Sequence, residues 1–375
     1  MYLHQKVIRT RLFLIIDRLI FIVFGLVIEY PTQSIAYLTY MKSIATMKGV
    51  TIISTRLSNK RGYITLAIIL YLFLISLFGQ FHVRNYNFKS DYNRLINITF
   101  SFEHLPLICH SSQPTFIVIV HSSPENFVKR KTIRETWGGK TNNVSLLFAL
   151  GHTENVQIHK EIEREYEVHQ DLLEGSFLDT YHNLTYKHVM ELKYTVYHCP
   201  EVKYLVKLDD DVFVNMPNLK EFIHLYNLEN ANSTSILCSR MSGNPVLRSG
   251  RWGVPVEEYP DEYYPDHCSG FAIIYPQRAV AALYAQAQKT KYFWIDDAFV
   301  SGIVAKGAGL THTEIADLFL SDEEVVGIVD FDFTNITKPF LFGRMNLDDY
   351  QIRSLWDFVK HHTPKASILD YLKIE

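Results

Sequence analysis

From residue 114 onward, short apolar runs rich in β-branched and aromatic residues alternate with longer stretches of mixed polarity, a pattern that predicts strands joined by helices. Residues 115–120 and 144–150 are continuous apolar runs of strand length. Between them Ser123, Pro124 and Glu125 read as a helix start with cap, first-turn proline and first-turn acid, and Gly138 and Gly139 stop that helix just after Trp137. A charged helix is predicted over residues 154–166 and a longer one over 181–198, feeding a strand that begins at Lys203. Beyond it the pattern gives a helix at 219–226, a short strand at 235–238, a strand at 271–275, a helix at 277–288 and another helix opening at 294–299. The sum is an α/β domain with a doubly wound, mostly parallel sheet.

The Lys203 strand carries the clearest chemistry. Tyr204, Leu205 and Val206 lead into Asp209, Asp210 and Asp211, and Val212, Phe213 and Val214 resume the apolar run at once. Three carboxylates at the end of a buried strand must face something positive. In open α/β sheets the ligand crevice lies outside the carboxyl ends of the strands, and hard divalent cations take carboxylate and phosphate oxygens, so an Asp-x-Asp there can hold a metal that holds a diphosphate. A solvated acidic turn is the plainer alternative. Residues 250–270 are rich in Gly, Pro and aromatics, including Trp252 and Tyr264. They read as an ordered loop packed by its own rings, or as the aromatic faces on which a sugar stacks.

Upstream the pattern is different. Residues 62–79 form an uncharged, almost wholly apolar run close to the length needed to cross a bilayer, with Lys48, Arg56, Lys60 and Arg61 before it. This predicts an uncleaved signal anchor with a cytosolic amino-terminal side. An earlier run, 12–28, is broken by Asp17 and Arg18 and is expected not to span: it is interfacial, or an extension ahead of a start at Met41 or Met47. Five Asn-x-Ser/Thr sequons, at Asn97, Asn143, Asn183, Asn232 and Asn335, all follow the second run, which favours a luminal downstream domain. The expected layout is a cytoplasmic tail at 1–61, an anchor at 62–81, a stem at 82–113 and a catalytic domain at 114–375.

Composition narrows the picture modestly. The 375 residues are 47% hydrophobic and 21% charged, enough for a sizeable core, and a net charge of −3 offers no polycation for nucleic acid. Four cysteines, Cys109, Cys199, Cys238 and Cys268, permit three pairings, among which the sequence does not choose. No P-loop motif is present.

Five blocks in register resemble glycosyltransferase family 31, the Golgi β-1,3-galactosyltransferases and β-1,3-N-acetylglucosaminyltransferases. They are Arg130, Ile133, Arg134, Thr136, Trp137 and Gly138; Phe177, Asp179, Tyr181, Asn183, Leu184, Thr185 and Lys187; residues 204–215; Tyr264, Pro265, Cys268, Ser269 and Gly270; and Asp296, Asp297, Phe299 and Gly302. The resemblance implies a GT-A type nucleotide-diphospho-sugar transferase fold behind one transmembrane helix, Mn²⁺, a UDP-galactose or UDP-N-acetylglucosamine donor, a glycan acceptor on glycoprotein or glycolipid, and inversion at the anomeric carbon. It also implies roles: Asp297 as the base that takes the acceptor proton, with Asp296 second; Asp211 on the metal, with Asp209 beside it; Arg130, Arg134, Lys187, Asp209 and Asp210 on the donor side; Trp252 and Tyr264 against the acceptor.

The chain departs from that family's pattern at three places. Ser176 stands where Asp is common, Asp266 and His267 replace Pro-Tyr before Cys268, and residues 340–345 lack the late histidine that serves as a metal ligand, leaving His312 or His361 as substitutes. That gap motivates a rival, a non-catalytic luminal sugar-binding or chaperone protein on the same fold. A second rival is a divalent-metal nucleotide hydrolase.

Overall fold

A computed structural model describes residues 100–109, 114–140, 143–331, 336, 338–362 and 368–372. The predicted anchor and most of the stem lie outside these residues, as do Asn97 and Asn335. Among the described residues no helix is long and apolar enough to cross a membrane.

The chain winds first through parallel strands. Strand β1 is Phe102–His104; β2 (Phe116–His121) is buried along its whole length, α1 is Phe127–Glu135, and β3 is Val144–His152. Helix α2 (Val156–His169) leads to β4 (Leu172–Leu178), and a 3₁₀ turn at Tyr181–Asn183 runs into α3 (Leu184–His198) and then β5 (Tyr204–Asp209). Continuous apolar strands of this kind are what a sheet covered on both faces requires. Helix α4 (Met216–Asn230), capped by the Asn215 side chain, carries the chain to β6 (Ile236–Met241). A long connection then leads to β7 (His267–Pro276), α5 (Gln277–Ala287), a π-helix at Ala298–Val304 and β8 (His312–Glu314). Helices α6 (Asp322–Phe331), α7 (Asp349–His361) and α8 (Ile368–Leu372) complete the order.

All eight strands form one sheet in the order β1-β4-β3-β2-β5-β7-β6-β8. The central β4-β3-β2-β5 portion is parallel, whereas β1 on β4, β7 on β5 and β6 on β7 are antiparallel. The sheet is therefore mixed, and the mostly parallel expectation describes its centre. The reason is the long 242–266 connection, which returns the chain beside β5 running the opposite way.

Two elements escape the apolar pattern. Strand β4 includes Glu174, Gly175 and Ser176 and so lacks a continuous apolar run. Strand β1 lies in the stretch read as stem, yet it pairs with β4, and Cys109 joins Cys199 at the end of α3. The folded unit thus begins before residue 114. A second disulfide, Cys238–Cys268, links β6 to β7. Helix α1 also starts later than Ser123, because Ser123 to Asn126 form a turn: the Asn126 N–H donates to the Ser123 carbonyl at 3.0 Å, and Arg130 Nη1 donates to the same oxygen at 2.6 Å.

Helix α3 is enclosed by the elements around it. Its residues 185 to 195 are all buried, including Lys187, His188, Glu191 and Lys193. A helix enclosed on every side shows no amphipathic stripe, and its polar groups must find partners inside the protein.

Candidate active site

Strands β2 and β5 are parallel neighbours in register, with His121 opposite Asp209. The turns that leave their carboxyl ends therefore meet. Asp210 is the staple between them: its carboxylate accepts from Ser122 Oγ at 2.7 Å, Asn126 Nδ2 at 2.8 Å and Lys129 Nζ at 2.9 Å. Asp209 accepts from Lys207 Nζ at 2.6 Å through one oxygen only. Burial pushes the Asp209 carboxyl up, with the Lys207 ammonium opposing. Asp211 keeps a partly exposed carboxylate whose nearest cation, Lys129, is 3.7 Å away. Lys207, almost fully buried, also donates to the Gly270 carbonyl at 2.6 Å and so ties this turn to β7.

The facing wall is Asp296 and Asp297, just ahead of the π-helix. Such π turns recur at functional sites. Asp297 Oδ1 accepts the Ala298 N–H at 2.7 Å, and Ser301 Oγ donates back to the Asp297 carbonyl. A side chain on Gly270 would begin 3.2 Å from Asp297 Cβ, so glycine there leaves the carboxyl its room. Burial, reinforced by the Asp296 charge and opposed by the Ala298 N–H, pushes the Asp297 carboxyl up to about 7. Asp296 is held low: burial would raise it, but the hydrogen bond from His188 and the Lys207 charge outweigh that. His188, itself kept neutral by burial, donates from Nδ1 to Asp296 at 2.9 Å, which leaves Nε2 to accept the Tyr275 hydroxyl, also at 2.9 Å. Two adjacent carboxyls are thus driven apart in proton affinity, the arrangement by which environments assign acid and base roles.

Between the walls lies a cavity of about 580 Å³, lined by Asp209, Asp210, Asp211, Asp296 and Asp297 together with Lys187. It falls in the size range of small-molecule sites. Tyr181, Arg251 and Trp252 also line it: the Arg251 guanidinium lies 4.6 Å over the Tyr181 ring, and Trp252 Nε1 donates to the Tyr181 hydroxyl. A second hollow of about 340 Å³ shares Trp252 and Asp297 with the first and is lined otherwise by Leu247, Pro245, Tyr264 and His267. Asp297 therefore stands where an aspartate-lined cavity and a largely apolar one meet.

Most of the sequence-predicted residues are brought together here, with corrections. Lys187 reaches the cavity, but its ammonium donates to the Ser122 carbonyl at 2.7 Å and pairs with Asp179 at 2.8 Å. Tyr264 lines only the second hollow. Arg130 and Arg134 do not line the cavity, so their donor-contact assignment is corrected. Arg130 is fully buried, bound to Glu165, Ser122, Ser123 and Pro124, and buttresses the turn after β2. Arg134 pairs with Asp171 and Glu165. Asp210 is likewise a scaffold for that turn rather than a free donor contact.

His188 and Arg251 went unnoticed in the sequence. His188 had no visible signal, because its partner is 108 positions away. Arg251 sits next to Trp252, and that adjacency of a cation and an aromatic in the loop was the available cue.

A divalent cation fits the turn after β5 only in part. Asp211 and the second oxygen of Asp209 are hard oxygen donors facing the cavity, the set a Mg²⁺-like or Mn²⁺-like ion uses when substrate phosphates and waters complete its shell. No third protein ligand joins them among the described residues. Met345 lines the cavity from the segment where the late histidine was sought, His312 bonds the Ser301 carbonyl, and His361 bonds the Asp357 carbonyl.

The chain is similar in sequence to several known transferases. A chain from Homo sapiens named beta-1,3-galactosyltransferase 1 is 30% identical over 240 residues, covering 60% of this chain and 71% of that protein. Beta-1,3-galactosyltransferase 9 of Homo sapiens is 35% identical over 210 residues, 54% of this chain and 56% of its own length. A lactosylceramide 1,3-N-acetyl-beta-D-glucosaminyltransferase from Mus musculus is 28% identical over 257 residues, 61% and 68% of the two chains. Among solved structures, a glycosyltransferase involved in glycosylation of the major capsid of PBCV-1 aligns over 66% of this chain and 99% of its own at 12% identity, with a TM-score of 0.35. The family profile described as Galactosyltransferase matches residues 128–316, a span that holds both acidic walls of the cavity, and the chain belongs to that family, glycosyltransferase family 31.

Proposed function

We propose that the protein is an inverting transferase that moves galactose or N-acetylglucosamine from a UDP-sugar to a glycan hydroxyl in β-1,3 linkage. The observation that carries this reading is Asp297, a carboxyl whose proton affinity lies near neutrality, at the junction of an aspartate-lined cavity and an apolar hollow. A general base works best with a pKa near the operating pH.

The donor diphosphate occupies the larger cavity over the Asp209 to Asp211 turn, and the acceptor lies in the hollow between Trp252 and Tyr264. Asp297 takes the proton of the attacking hydroxyl as its oxygen bonds to the anomeric carbon and the bond to the diphosphate oxygen breaks on the opposite face. UDP leaves with the bonding pair. Asp296, kept ionised by His188, holds the Asp297 carboxyl at a useful basicity. Lys207 keeps Asp209 and the Gly270 backbone in place. A divalent cation held by Asp211 and Asp209 would offset the charge growing on the departing diphosphate. Arg251, which has no carboxylate partner among the described residues, supplies a further positive group at the cavity mouth.

The layout that goes with this reading is a type II Golgi membrane protein, anchored by residues 62–81 with the folded unit in the lumen. Asn143 and Asn232, both exposed, suit that side, whereas the Asn183 sequon is closed in the folded chain, since its Thr185 is buried and donates to the Phe293 carbonyl.

The test is UDP release by the purified full-length chain with UDP-galactose and UDP-N-acetylglucosamine, Mn²⁺ and a panel of glycan acceptors. We expect release only when donor and acceptor are both present, with a β-1,3-linked product. Release without acceptor would make the protein a nucleotide-sugar hydrolase. Silence with retained UDP binding would favour the non-catalytic sugar-binding or chaperone role.

A further inference from the structure

Histidines and glutamates from four elements gather at the β1 edge of the sheet, away from the cavity. His152 ends β3, His159 lies in the first turn of α2, Glu174 is inside β4, and Glu103 and His104 belong to β1. One ligand atom each from His152, His159 and Glu174 all lie within 4.8 Å of one another. None of the three lines the cavity.

The surrounding bonds select which atoms remain. His152 Nδ1 is 2.9 Å from Glu103 Oε2, leaving Nε2. His159 Nε2 faces Glu163 Oε1 at 3.6 Å, while its Nδ1 is shut off from solvent and has no hydrogen-bond partner. Glu174 is 1% exposed, and one of its oxygens, Oε2, lies 2.5 Å from His104 Nδ1. An imidazole with a carboxylate bonded to one nitrogen is the arrangement that orients a metal-bound histidine, and His152 shows it beside a buried carboxylate, with the Glu163 carboxylate farther off on the His159 side.

We propose that His152, His159 and Glu174 form a second divalent-metal site, separate from the Asp209 to Asp211 turn, that clasps α2 to the end of β3 and to β4. Two nitrogens and one oxygen favour zinc over the hard cations Ca²⁺ and Mg²⁺, and three protein ligands leave a fourth tetrahedral position for water. Glu103 and His104 act through the ligands, so the ion also fastens β1, which is only three residues long. The role is structural, holding an edge strand that has little burial of its own.

The experiment is zinc titration of the tag-free, full-length chain after chelator stripping, read by metal content and by thermal midpoint. We expect about one zinc per chain and a rise in midpoint on loading. His152→Gln and His159→Gln should each weaken binding roughly tenfold or more, as loss of one ligand does, and the pair should abolish the rise. Both side chains are about one-third exposed, so the replacements leave the core intact. Asp211→Asn should leave the zinc stoichiometry unchanged, which separates this site from the catalytic turn. Cobalt in place of zinc should give the intense visible band of a tetrahedral site. No saturable uptake by the folded chain, uptake undiminished in the double variant, or only the weak absorbance of octahedral cobalt would overturn the proposal.

Discussion

Asp209 to Asp211 and Asp296–Asp297 face the same cavity but handle negative charge in opposite ways. The first group is served by ammoniums, Lys207 on Asp209 and Lys129 on Asp210, and it ends in Asp211, which stands farther from any cation. The second group has burial, one neutral imidazole, a backbone N–H and only the field of Lys207 in place of a direct lysine pair, so one of its two carboxyls is forced to hold its proton close to neutral pH. On the proposed function, similar residues divide the labour: the lysine-bound turn is fixed in shape and leaves one carboxylate for a cation, and the buried pair supplies basicity. Substitutions that remove one behaviour and spare the other will show whether the division is real.

The largest effect is expected at Asp297. Asp297→Asn should lower kcat/KM by roughly 10²- to 10⁴-fold, the contribution of a positioned general base, without loss of UDP binding. It should also stabilise the protein. The Asp297 carboxyl moves from 3.8 to about 7 on folding, so the folded chain holds the proton more tightly and ionisation penalises it. That penalty is absent below about pH 4, grows as pH rises towards 7, and is fully present above it. The variant should therefore melt a few degrees above the parent at pH 8 and level with it near pH 4. Retained activity in Asp297→Asn would remove it from the base role, and equal melting at pH 8 would remove the burial argument.

Asp211→Asn tests the other wall. We expect a loss of about 10²-fold in kcat, of the size seen when one charge-stabilising group is deleted, partly recovered by raising Mn²⁺. The same change should leave the pH dependence of the remaining activity in place, because Asp211 is not among the main groups setting the Asp297 carboxyl. An acidic limb that moved with this substitution would mean that the two walls are not separate devices.

How much of this was legible in the sequence differs between the two walls. The turn after β5 was plain, because an apolar strand that ends in three acids is a local signal. Asp297 was singled out only by resemblance, and what makes it basic is non-local: burial, Asp296 and the His188 bond that reaches across from α3. Arg130 and Arg134 were misread for the same reason. Their partners Glu165, on α2, and Asp171, just before β4, are brought to α1 by the tertiary fold, which residue spacing does not reveal. Strand β4 was missed because Glu174 is buried by its contact with His104, a pairing 70 positions apart.

The smallest and sharpest test is Asp296→Asn. Asparagine keeps an oxygen for the His188 Nδ1–H, so the geometry of the pair survives while its charge is removed. After burial, the Asp296 charge is the next largest cause of the raised Asp297 carboxyl. Removing a like charge favours the ionised form, so the Asp297 pKa should fall. Because the base acts when deprotonated, wild-type activity should rise with pH through about 7, and in the variant that limb should move towards acid by about one pH unit. The rate on the alkaline plateau should drop only modestly, roughly tenfold or less, since a weaker base removes the hydroxyl proton less readily. The measurement is a pH profile of kcat/KM from pH 5 to 9 for both proteins. A limb that stays put would mean that burial alone sets the Asp297 carboxyl and that Asp296 and His188 serve the fold rather than the chemistry.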